Sequence, residues 1–275
     1  MLDIIKVIIL GIIEGITEWL PVSSTGHLIL AGDLLKPSMS DGFMEMFNVV
    51  IQLGAIIAVL VLYFHKLNPF SKLKNQREKM LTWQIWIKVA IATVPAAIIG
   101  LLFDDIIDRI FYRPSVVAVM LVVYGILFII IENRNAGKKP VVTNISQLSI
   151  KMLIIIGFFQ VLALIPGTSR SGATILGALI IGISRATAAE FTFFLAIPVM
   201  FGASFLKIIK YGFNFTLGQV GLLLLGCLVA FGVSIFAIKF LMSYIKKNDF
   251  KVFGYYRIIL GALILLSMLA KFIIG

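Results

Sequence analysis

Six apolar segments dominate this chain, and each is long enough to cross a lipid bilayer as an α-helix. They cover residues 43–65, 84–103, 114–132, 186–206, 217–238 and 256–274. A spanning helix needs about 20 apolar residues. Only 13% of the 275 residues are charged, against about 25% in soluble domains. The sequence therefore predicts one all-α, polytopic membrane domain over residues 1–275, and it excludes a soluble enzyme, a coiled coil and a disordered chain.

Basic residues cluster in three stretches between these segments and predict the orientation of the chain. Residues 66–82, 133–151 and 239–257 together carry 14 of the 24 basic residues. Because cytoplasmic loops of membrane proteins are rich in Lys and Arg, we place these stretches in the cytoplasm. The acidic stretch 104–113 is then predicted to be an outer loop. The bilayer accounts for the net charge of +11, so this charge does not indicate a nucleic-acid partner.

Two further apolar stretches are interrupted near their middle. Residues 4–36 break at PVSSTG (21–26), and residues 150–183 break at PGTSRSG (166–172). Pro and Gly end one half-helix, and Ser or Thr can cap the next. Each half is too short to cross the bilayer comfortably, so each stretch is predicted to be a re-entrant helical hairpin. Such irregular backbone is tolerated only where protein or a wet cavity satisfies it.

The two interrupted stretches resemble each other at an offset of 146 residues. The matched pairs are Gly11 and Gly157, Glu14 and Gln160, Ser23 and Ser169, Thr25 and Ser171, Gly26 and Gly172, Ile29 and Ile175, and Leu30 and Leu176. Three predicted spans follow each hairpin, so the second half starts on the opposite side of the membrane. We predict two inverted repeats, about 1–135 and about 147–275, whose polar hairpin tips meet near the midplane.

Glu14 and Glu18 lie four residues apart and share one face of a helix inside the first hairpin. A carboxylate at the bilayer centre costs roughly 2.5 kcal/mol or more, and two adjacent carboxylates also repel each other. A cation, an arginine or a bound proton must offset this cost. The oxygen ligands suit Mg²⁺ or Ca²⁺, with water and phosphate oxygens completing the shell. The sequence therefore predicts a divalent-cation site at Glu14 and Glu18.

Polar side chains at the two breaks have the chemistry of an anion site. His27 follows the first break, where a histidine can act as general acid, general base or nucleophile. Arg170 lies in the second break, where its guanidinium and the helix N–H groups can bind phosphate. The side chains that we predict to bind phosphate are Ser23, Thr25, Ser169, Arg170, Ser171 and Thr174.

Both breaks carry a recognisable motif. The segment EGITEWLPVSSTGH (14–27) resembles the first signature of the undecaprenyl-diphosphate phosphatase family, the bacitracin-resistance integral membrane phosphatases. The segment PGTSRSGAT (166–174) resembles the second signature. The length and the pattern of spans fit this family over the whole chain. The positions that the resemblance marks as functional are Glu14, Glu18, Ser24, His27, Ser169, Arg170 and Thr174.

The resemblance implies hydrolysis of undecaprenyl diphosphate to undecaprenyl phosphate and inorganic phosphate. This reaction recycles the lipid carrier for peptidoglycan synthesis and confers tolerance of bacitracin. The resemblance also implies a divalent cation and a site that opens to the outer side of the bacterial plasma membrane. The nucleophile stays open between Ser24, His27 and water. We favour Ser24, with His27 or a glutamate taking its proton.

Two other functions are considered. Inverted repeats and broken helices are also typical of transporters, so a lipid or small-anion transporter or flippase is the alternative. A phosphatidic-acid-phosphatase-type enzyme is rejected, because its motif needs a histidine after a Ser-Arg segment and no histidine follows His65. The expected partners are the bilayer and a lipid diphosphate, without nucleic acid, and the sequence is compatible with a homodimer.

Overall fold

Helices form nearly the whole of the chain. The computed structural model describes residues 2–111 and 113–274, and the side chains of Asp104, Asp105, Asp108 and residues 271–274 lie outside that description. The helices are α1 (Leu2–Thr17), α2 (Ser24–Leu35), α3 (Asp41–Val50), α4 (Gln52–Leu62), α5 (Phe64–Leu67), α6 (Gln76–Phe111), α7 (Pro114–Asn135), α8 (Ile150–Leu162), α9 (Arg170–Ile180), α10 (Arg185–Tyr211), α11 (Leu217–Tyr244) and α12 (Lys251–Ile274). The predicted all-α class is confirmed.

Within the described residues, six segments are long and apolar enough to cross a membrane, as predicted. They are Asp41–Leu62, Gln76–Phe103, Pro114–Asn135, Arg185–Tyr211, Leu217–Tyr244 and Lys251–Ala270. Many apolar side chains on these helices are exposed, among them Ile259, Leu263 and Leu266 on α12. A surface of this kind suits contact with lipid rather than water. The chain is therefore a multi-pass membrane protein.

The predicted outer loop at 104–113 is wrong in its extent. Helix α6 continues to Phe111, and α7 begins at Pro114, which stands at the start of that helix. No proline or glycine interrupts residues 101–111, so nothing in this stretch ends the helix before Pro114 starts the next one. The acidic side chains of this stretch, at residues 104, 105 and 108, fall outside the described side chains.

Each predicted hairpin is present as two short helices that pack on each other. Helices α1 and α2 form the first pair and α8 and α9 form the second. The connecting segments, residues 18–23 and 163–169, both begin and end three residues earlier than the predicted breaks. The difference arises because Ser24, Thr25 and Gly26 already form the first turn of α2, capped by Ser23.

Helix packing places the two hairpins in corresponding environments. Helix α1 packs on α11 and α8 packs on α6, while α7 and α12 pack on each other. A Cβ atom on Gly11 would lie 3.0 Å from the carbonyl oxygen of Gly226, and one on Gly157 would lie 2.7 Å from that of Ala92. Glycine at these matched positions allows each hairpin to approach its partner backbone closely. The opposite orientation of the two halves in a membrane stays a prediction.

One basic residue of the predicted cytoplasmic stretch 239–257 is misplaced. Arg257 lies two turns into α12 and is fully buried inside the protein. Its guanidinium donates to carbonyl oxygens of both hairpin segments, so the charge is satisfied internally and says nothing about orientation. The sequence pattern fails here because a helix can begin before its apolar run does.

Candidate active site

The start of α9 in the second hairpin contacts the connecting segment of the first hairpin directly. The Ser171 hydroxyl of α9 donates to the carbonyl oxygen of Glu18 at 3.1 Å and to that of Leu20 at 3.3 Å. The Ser169 and Ser171 hydroxyls also share a hydrogen bond of 3.1 Å. The start of α9 therefore lies against the end of α1. Residues that are 152 positions apart in the sequence meet at this junction.

Matched serines cap the second helix of each hairpin. Ser23 has a φ of 76° and Ser169 has a φ of 70°, and both side chains accept a backbone hydrogen bond, from the N–H of Gly26 and of Gly172. A left-handed backbone at a residue other than glycine costs about 1–3 kcal/mol and tends to occur at functional sites. Helices α2 and α9 thus begin at the junction, and helix N-termini attract anions.

Glu18 is the centre of a buried hydrogen-bonded chain. Its Oε2 accepts a hydrogen bond of 2.6 Å from the Ser24 hydroxyl, and its Oε1 pairs with Arg170 Nη2 at 3.1 Å. The Glu18 residue is only 5% exposed. The carboxylate is therefore positioned to take the Ser24 proton, while the arginine compensates its charge.

Arg170 is held in place from α10. Its Nη1 donates to the carbonyl oxygen of Thr192 at 2.9 Å. The Thr174 hydroxyl bonds to the Arg170 carbonyl oxygen and to the Thr192 hydroxyl, each at 2.9 Å. Thr174 therefore supports the backbone of Arg170 in this structure, and its predicted contact with phosphate stays a prediction. Thr192 thus orients Arg170, although nothing in the sequence marks Thr192 as a site residue.

Glu14 lies beside Glu18 but has no donor of its own. Its side chain is fully buried, and neither carboxylate oxygen has a hydrogen-bond partner within the described part of the chain. The Glu18 carboxylate is its neighbour. Two adjacent buried carboxylates with a single arginine require a proton or a cation.

Other buried polar atoms without a partner among the described residues concentrate on the same hairpins. Those on the hairpins are Trp19 Nε1, Thr168 Oγ1, Arg170 Nε and both amide atoms of Gln160, and one more, Asn48 Oδ1, lies on α3. Gln160 occupies the position that matches Glu14. Buried polar groups are nearly always hydrogen-bonded in proteins, to protein or to ordered water, so these atoms are free to bond to water or to a polar ligand at the hairpins.

His27 is close to the junction but has no hydrogen bond to Ser24 or to either glutamate in the described structure. Its Nδ1 lies 2.7 Å from the Ser23 carbonyl oxygen, and its Nε2 lies 2.7 Å from the hydroxyl of Tyr256. Because a carbonyl only accepts, Nδ1 carries the proton and Nε2 accepts from Tyr256. The structure thus gives Glu18, rather than His27, direct contact with Ser24. Tyr256 on α12 had no signal in the sequence.

The remaining predicted site residue, Thr25, follows Ser24 in the first turn of α2. It is half-buried, and its side chain makes no hydrogen bond within the residues that the structure covers. Its contact with phosphate stays a prediction, as do those of Ser23 and Ser169, whose hydroxyls serve as helix caps here.

Comparison with known proteins shows the family of this chain. The family described as "Bacitracin resistance protein BacA" matches residues 7–263 of this chain. The chain belongs to this family. Relatives named "Undecaprenyl-diphosphatase" are similar over nearly their full length. That of Acetivibrio thermocellus is 62% identical over 270 residues, covering 98% of this chain and 99% of the relative. That of Enterococcus faecalis V583 is 63% identical over 263 residues, covering 94% and 95%.

Two other glutamates near the hairpins of this BacA-family chain form ion pairs elsewhere. The Glu45 carboxylate bonds to Lys207, and both Glu190 oxygens bond to Lys66 Nζ at 2.8 Å. Neither glutamate has a hydrogen bond or an ion pair to Glu18 or Arg170 in the described structure. They are therefore useful as controls for the glutamates at the junction.

The donor set of this family member fits a divalent cation only with help from a ligand. Within the described residues no group of three or more His, Cys, Asp or Glu side chains is arranged to hold a metal. Glu14 offers two unpartnered oxygens, whereas both Glu18 oxygens already have partners. Mg²⁺ and Ca²⁺ accept such sparse protein ligation when phosphate and water supply the remaining oxygens.

Proposed function

We propose that this chain hydrolyses undecaprenyl diphosphate to undecaprenyl phosphate and inorganic phosphate. The observation that carries the proposal is the buried chain Ser24–Glu18–Arg170 at the start of two helices. It combines a hydroxyl, a base and an anion-binding guanidinium in one place. The reaction recycles the lipid carrier for peptidoglycan synthesis. It also removes the lipid diphosphate that bacitracin sequesters, which accounts for resistance.

Ser24 is the proposed nucleophile. Its oxygen attacks the terminal phosphorus as its proton passes to Glu18 Oε2, 2.6 Å away. The bond from the oxygen of Ser24 to phosphorus forms, and the bond from phosphorus to the bridging oxygen breaks. Undecaprenyl phosphate leaves with the electron pair. His27 as nucleophile and direct attack by water remain the alternatives.

Arg170 is proposed to stabilise the transferring phosphoryl group. Protonation of Glu18 removes the charge that pairs with Arg170 Nη2, so the guanidinium becomes available to the phosphoryl oxygens. The backbone N–H groups at the start of α9 lie next to it. Positive charge and fixed donors at this place stabilise the charge that spreads over the equatorial oxygens.

Hydrolysis of the phosphoserine completes the reaction. Water attacks the phosphorus, the bond to the Ser24 oxygen breaks, and one proton of the water restores the serine hydroxyl. Glu18 gives up its proton to the phosphate products. The net change is one water consumed for one undecaprenyl phosphate and one phosphate released.

We further propose that Glu14, with Glu18, holds Mg²⁺ or Ca²⁺ when the substrate binds. The Glu14 and Glu18 carboxylates share one cationic partner, Arg170, so a bound diphosphate adds uncompensated negative charge. A divalent cation would neutralise phosphate oxygens and polarise the bond to the leaving lipid phosphate. The unpartnered oxygens of Glu14 support this assignment.

Phosphate release by the purified protein in detergent tests the function. We expect release from undecaprenyl diphosphate, and a rate at least about tenfold lower after chelation of divalent cations, because a bound cation contributes several kcal/mol to such reactions. Adding Mg²⁺ or Ca²⁺ should restore the rate. Absence of phosphate release under every condition would refute the phosphatase function and favour the transporter alternative. Phosphate release at the same rate after chelation would refute the proposed role of a divalent cation.

Ser24→Ala tests the nucleophile. We expect turnover to fall by about 10³-fold or more, since removing a nucleophile abolishes the covalent route. With substrate labelled in its terminal phosphate, acid quenching should trap labelled wild-type protein but no labelled variant. Ser204→Ala is the control, because Ser204 is also buried but bonds to the Val49 carbonyl oxygen. Normal turnover by Ser24→Ala would exclude Ser24 as nucleophile.

We also propose that the chain lies in the bacterial plasma membrane with its site open to the outer side. The basic residues at 66–82 and 133–151 support this orientation, as do those between α11 and α12. In a Cys227→Ser background, Ser40→Cys should react with an impermeant thiol reagent from outside and Ser146→Cys only from inside. Labelling of both positions from one side would refute the inverted arrangement. A homodimer stays a prediction.

A further inference from the structure

Arg257 is a buried cation without a carboxylate partner in the described structure. Its side chain is fully enclosed within the protein. Nη1 donates to the carbonyl oxygen of Pro21 at 3.1 Å, and Nη2 donates to those of Gly167 at 2.8 Å and Thr168 at 2.9 Å. Its guanidinium also lies 5.5 Å from the ring centroid of Tyr124. The partners of this cation are backbone dipoles and an aromatic face.

A buried guanidinium without a carboxylate partner is energetically unfavourable unless it has a structural or functional role. Desolvating a cation is expensive unless it is paired, and ionisable residues inside membrane segments generally serve a function. Arg257 also reaches α7, where the carbonyl oxygens of Met120 and Leu121 lie at 3.4 and 3.5 Å. Its planar group has five donors in a fixed fork, and here they connect three separate chain segments.

The segments that Arg257 connects are those that carry the proposed chemistry. Pro21 lies between Glu18 and Ser24 in the first hairpin, and Gly167 and Thr168 immediately precede Ser169 and Arg170 in the second. Gly172, in the first turn of α9, also lies against the guanidinium, because a Cβ there would be 3.1 Å from Arg257 Nη1. One side chain therefore fixes the distance between the two halves of the site.

We propose that Arg257 is a positioning residue for the phosphatase reaction, an inference that rests on the function proposed above. By binding carbonyl oxygens of both connecting segments, it holds Ser24 and Glu18 in register with Arg170. It acts through these segments and not through the substrate. Misplacement of reacting groups by about 1 Å can cost about 10²-fold in rate.

Arg257→Lys tests the proposal, because lysine keeps the charge but cannot reach both segments with a planar fork. We expect kcat per folded molecule to fall about 10²-fold with KM little changed. Arg185→Lys is the matched control. Arg185 pairs with buried Glu132 and is not part of the junction, so we expect its kcat to stay near that of the wild type.

A second readout reports the position of the segments without activity. In a Cys227→Ser background, Val22→Cys places a thiol at a buried position next to Pro21. Addition of Arg257→Lys should accelerate labelling of this thiol, whereas addition of Arg185→Lys should not. If the wild type releases no phosphate, the proposed function fails, but the labelling still shows whether Arg257 holds the segments.

Several outcomes would overturn the proposal. Unchanged kcat with a lower melting temperature would assign Arg257 to stability alone. A raised KM with unchanged kcat would indicate direct contact with the substrate. If Arg257→Lys does not fold, Arg257→Gln is measured in the same way. Failure of both variants to fold, while Arg185→Lys folds, would assign Arg257 to folding.

Discussion

Glu18→Gln is expected to lower kcat for phosphate release by about 10³-fold, within the range for loss of a general base. Glutamine has nearly the same size, and its single amide oxygen can accept a hydrogen bond from either Ser24 or Arg170. It cannot take the proton of the attacking hydroxyl. The 2.6 Å contact between Ser24 and Glu18 Oε2 makes this transfer direct. The measurement is phosphate release at saturating substrate, normalised to folded protein.

Glu190→Gln is the control for this substitution. Glu190 forms an ion pair with Lys66, so the variant also loses a paired carboxylate, but away from the junction. We expect its kcat to stay within about twofold of the wild type, since an exposed ion pair contributes about 1 kcal/mol or less to stability and nothing to the reaction. Glu18→Gln with kcat similar to that of Glu190→Gln would show that Glu18 is not the base.

Arg170→Lys is expected to lower kcat/KM by about 10²- to 10³-fold, the loss seen when one donor to a developing negative charge is removed. Arg170 bonds to the Thr192 carbonyl oxygen with one nitrogen and to Glu18 with another. A lysine ammonium keeps the charge but cannot maintain both contacts and bind phosphate. Steady-state kinetics on undecaprenyl diphosphate would measure the loss.

A double-mutant cycle makes the prediction for Arg170 sharper. Because Arg170 and Glu18 are in direct contact, the combined variant Glu18→Gln, Arg170→Lys should lose less activity than the product of the two single losses. The combined variant Arg185→Lys, Glu18→Gln should lose activity by the product of the two single losses, since Arg185 pairs with Glu132 and not with Glu18. Strict multiplication for Arg170 and Glu18 would contradict the proposed coupling.

The spans and both hairpins were predictable because they depend on local properties of the sequence. Apolar length determines which segments can cross a bilayer, and a proline, a glycine and a run of hydroxyl residues mark where a helix must stop. The pair Glu14 and Glu18 was visible for a similar reason. A charge is conspicuous in an apolar stretch, and a spacing of four residues places both on one helix face.

The contacts made from α10 and α12 were not predictable in this way. Thr192 and Tyr256 are ordinary residues of apolar helices, and only tertiary packing brings them to Arg170 and His27. The sequence places Arg257 in a cytoplasmic stretch because it stands at the very start of the apolar run of the last span. A charge count cannot distinguish a solvated arginine from one turned into the protein. Its buried position follows from the packing of α12 on α7.

The predicted helix boundaries were wrong where the sequence has no residue that ends a helix. The stretch 101–111 contains acidic residues but no helix breaker, and the structure continues α6 through it. The role of His27 was also left open by the sequence. Either His27 or a glutamate was expected to take the proton of Ser24, and in the structure the first turn of α2 directs the Ser24 and His27 side chains to different partners, Glu18 and Tyr256.

The position of Arg257 in the last helix has a consequence for how the protein is made. Glu18 emerges from the ribosome early, Arg170 emerges 152 residues later, and the residue that binds both connecting segments arrives only with α12. Contacts between such distant parts of a chain form late, since a large loop must close first. Until its final helix inserts, a nascent chain therefore has Glu18, Ser24 and Arg170 but lacks the side chain that binds both connecting segments.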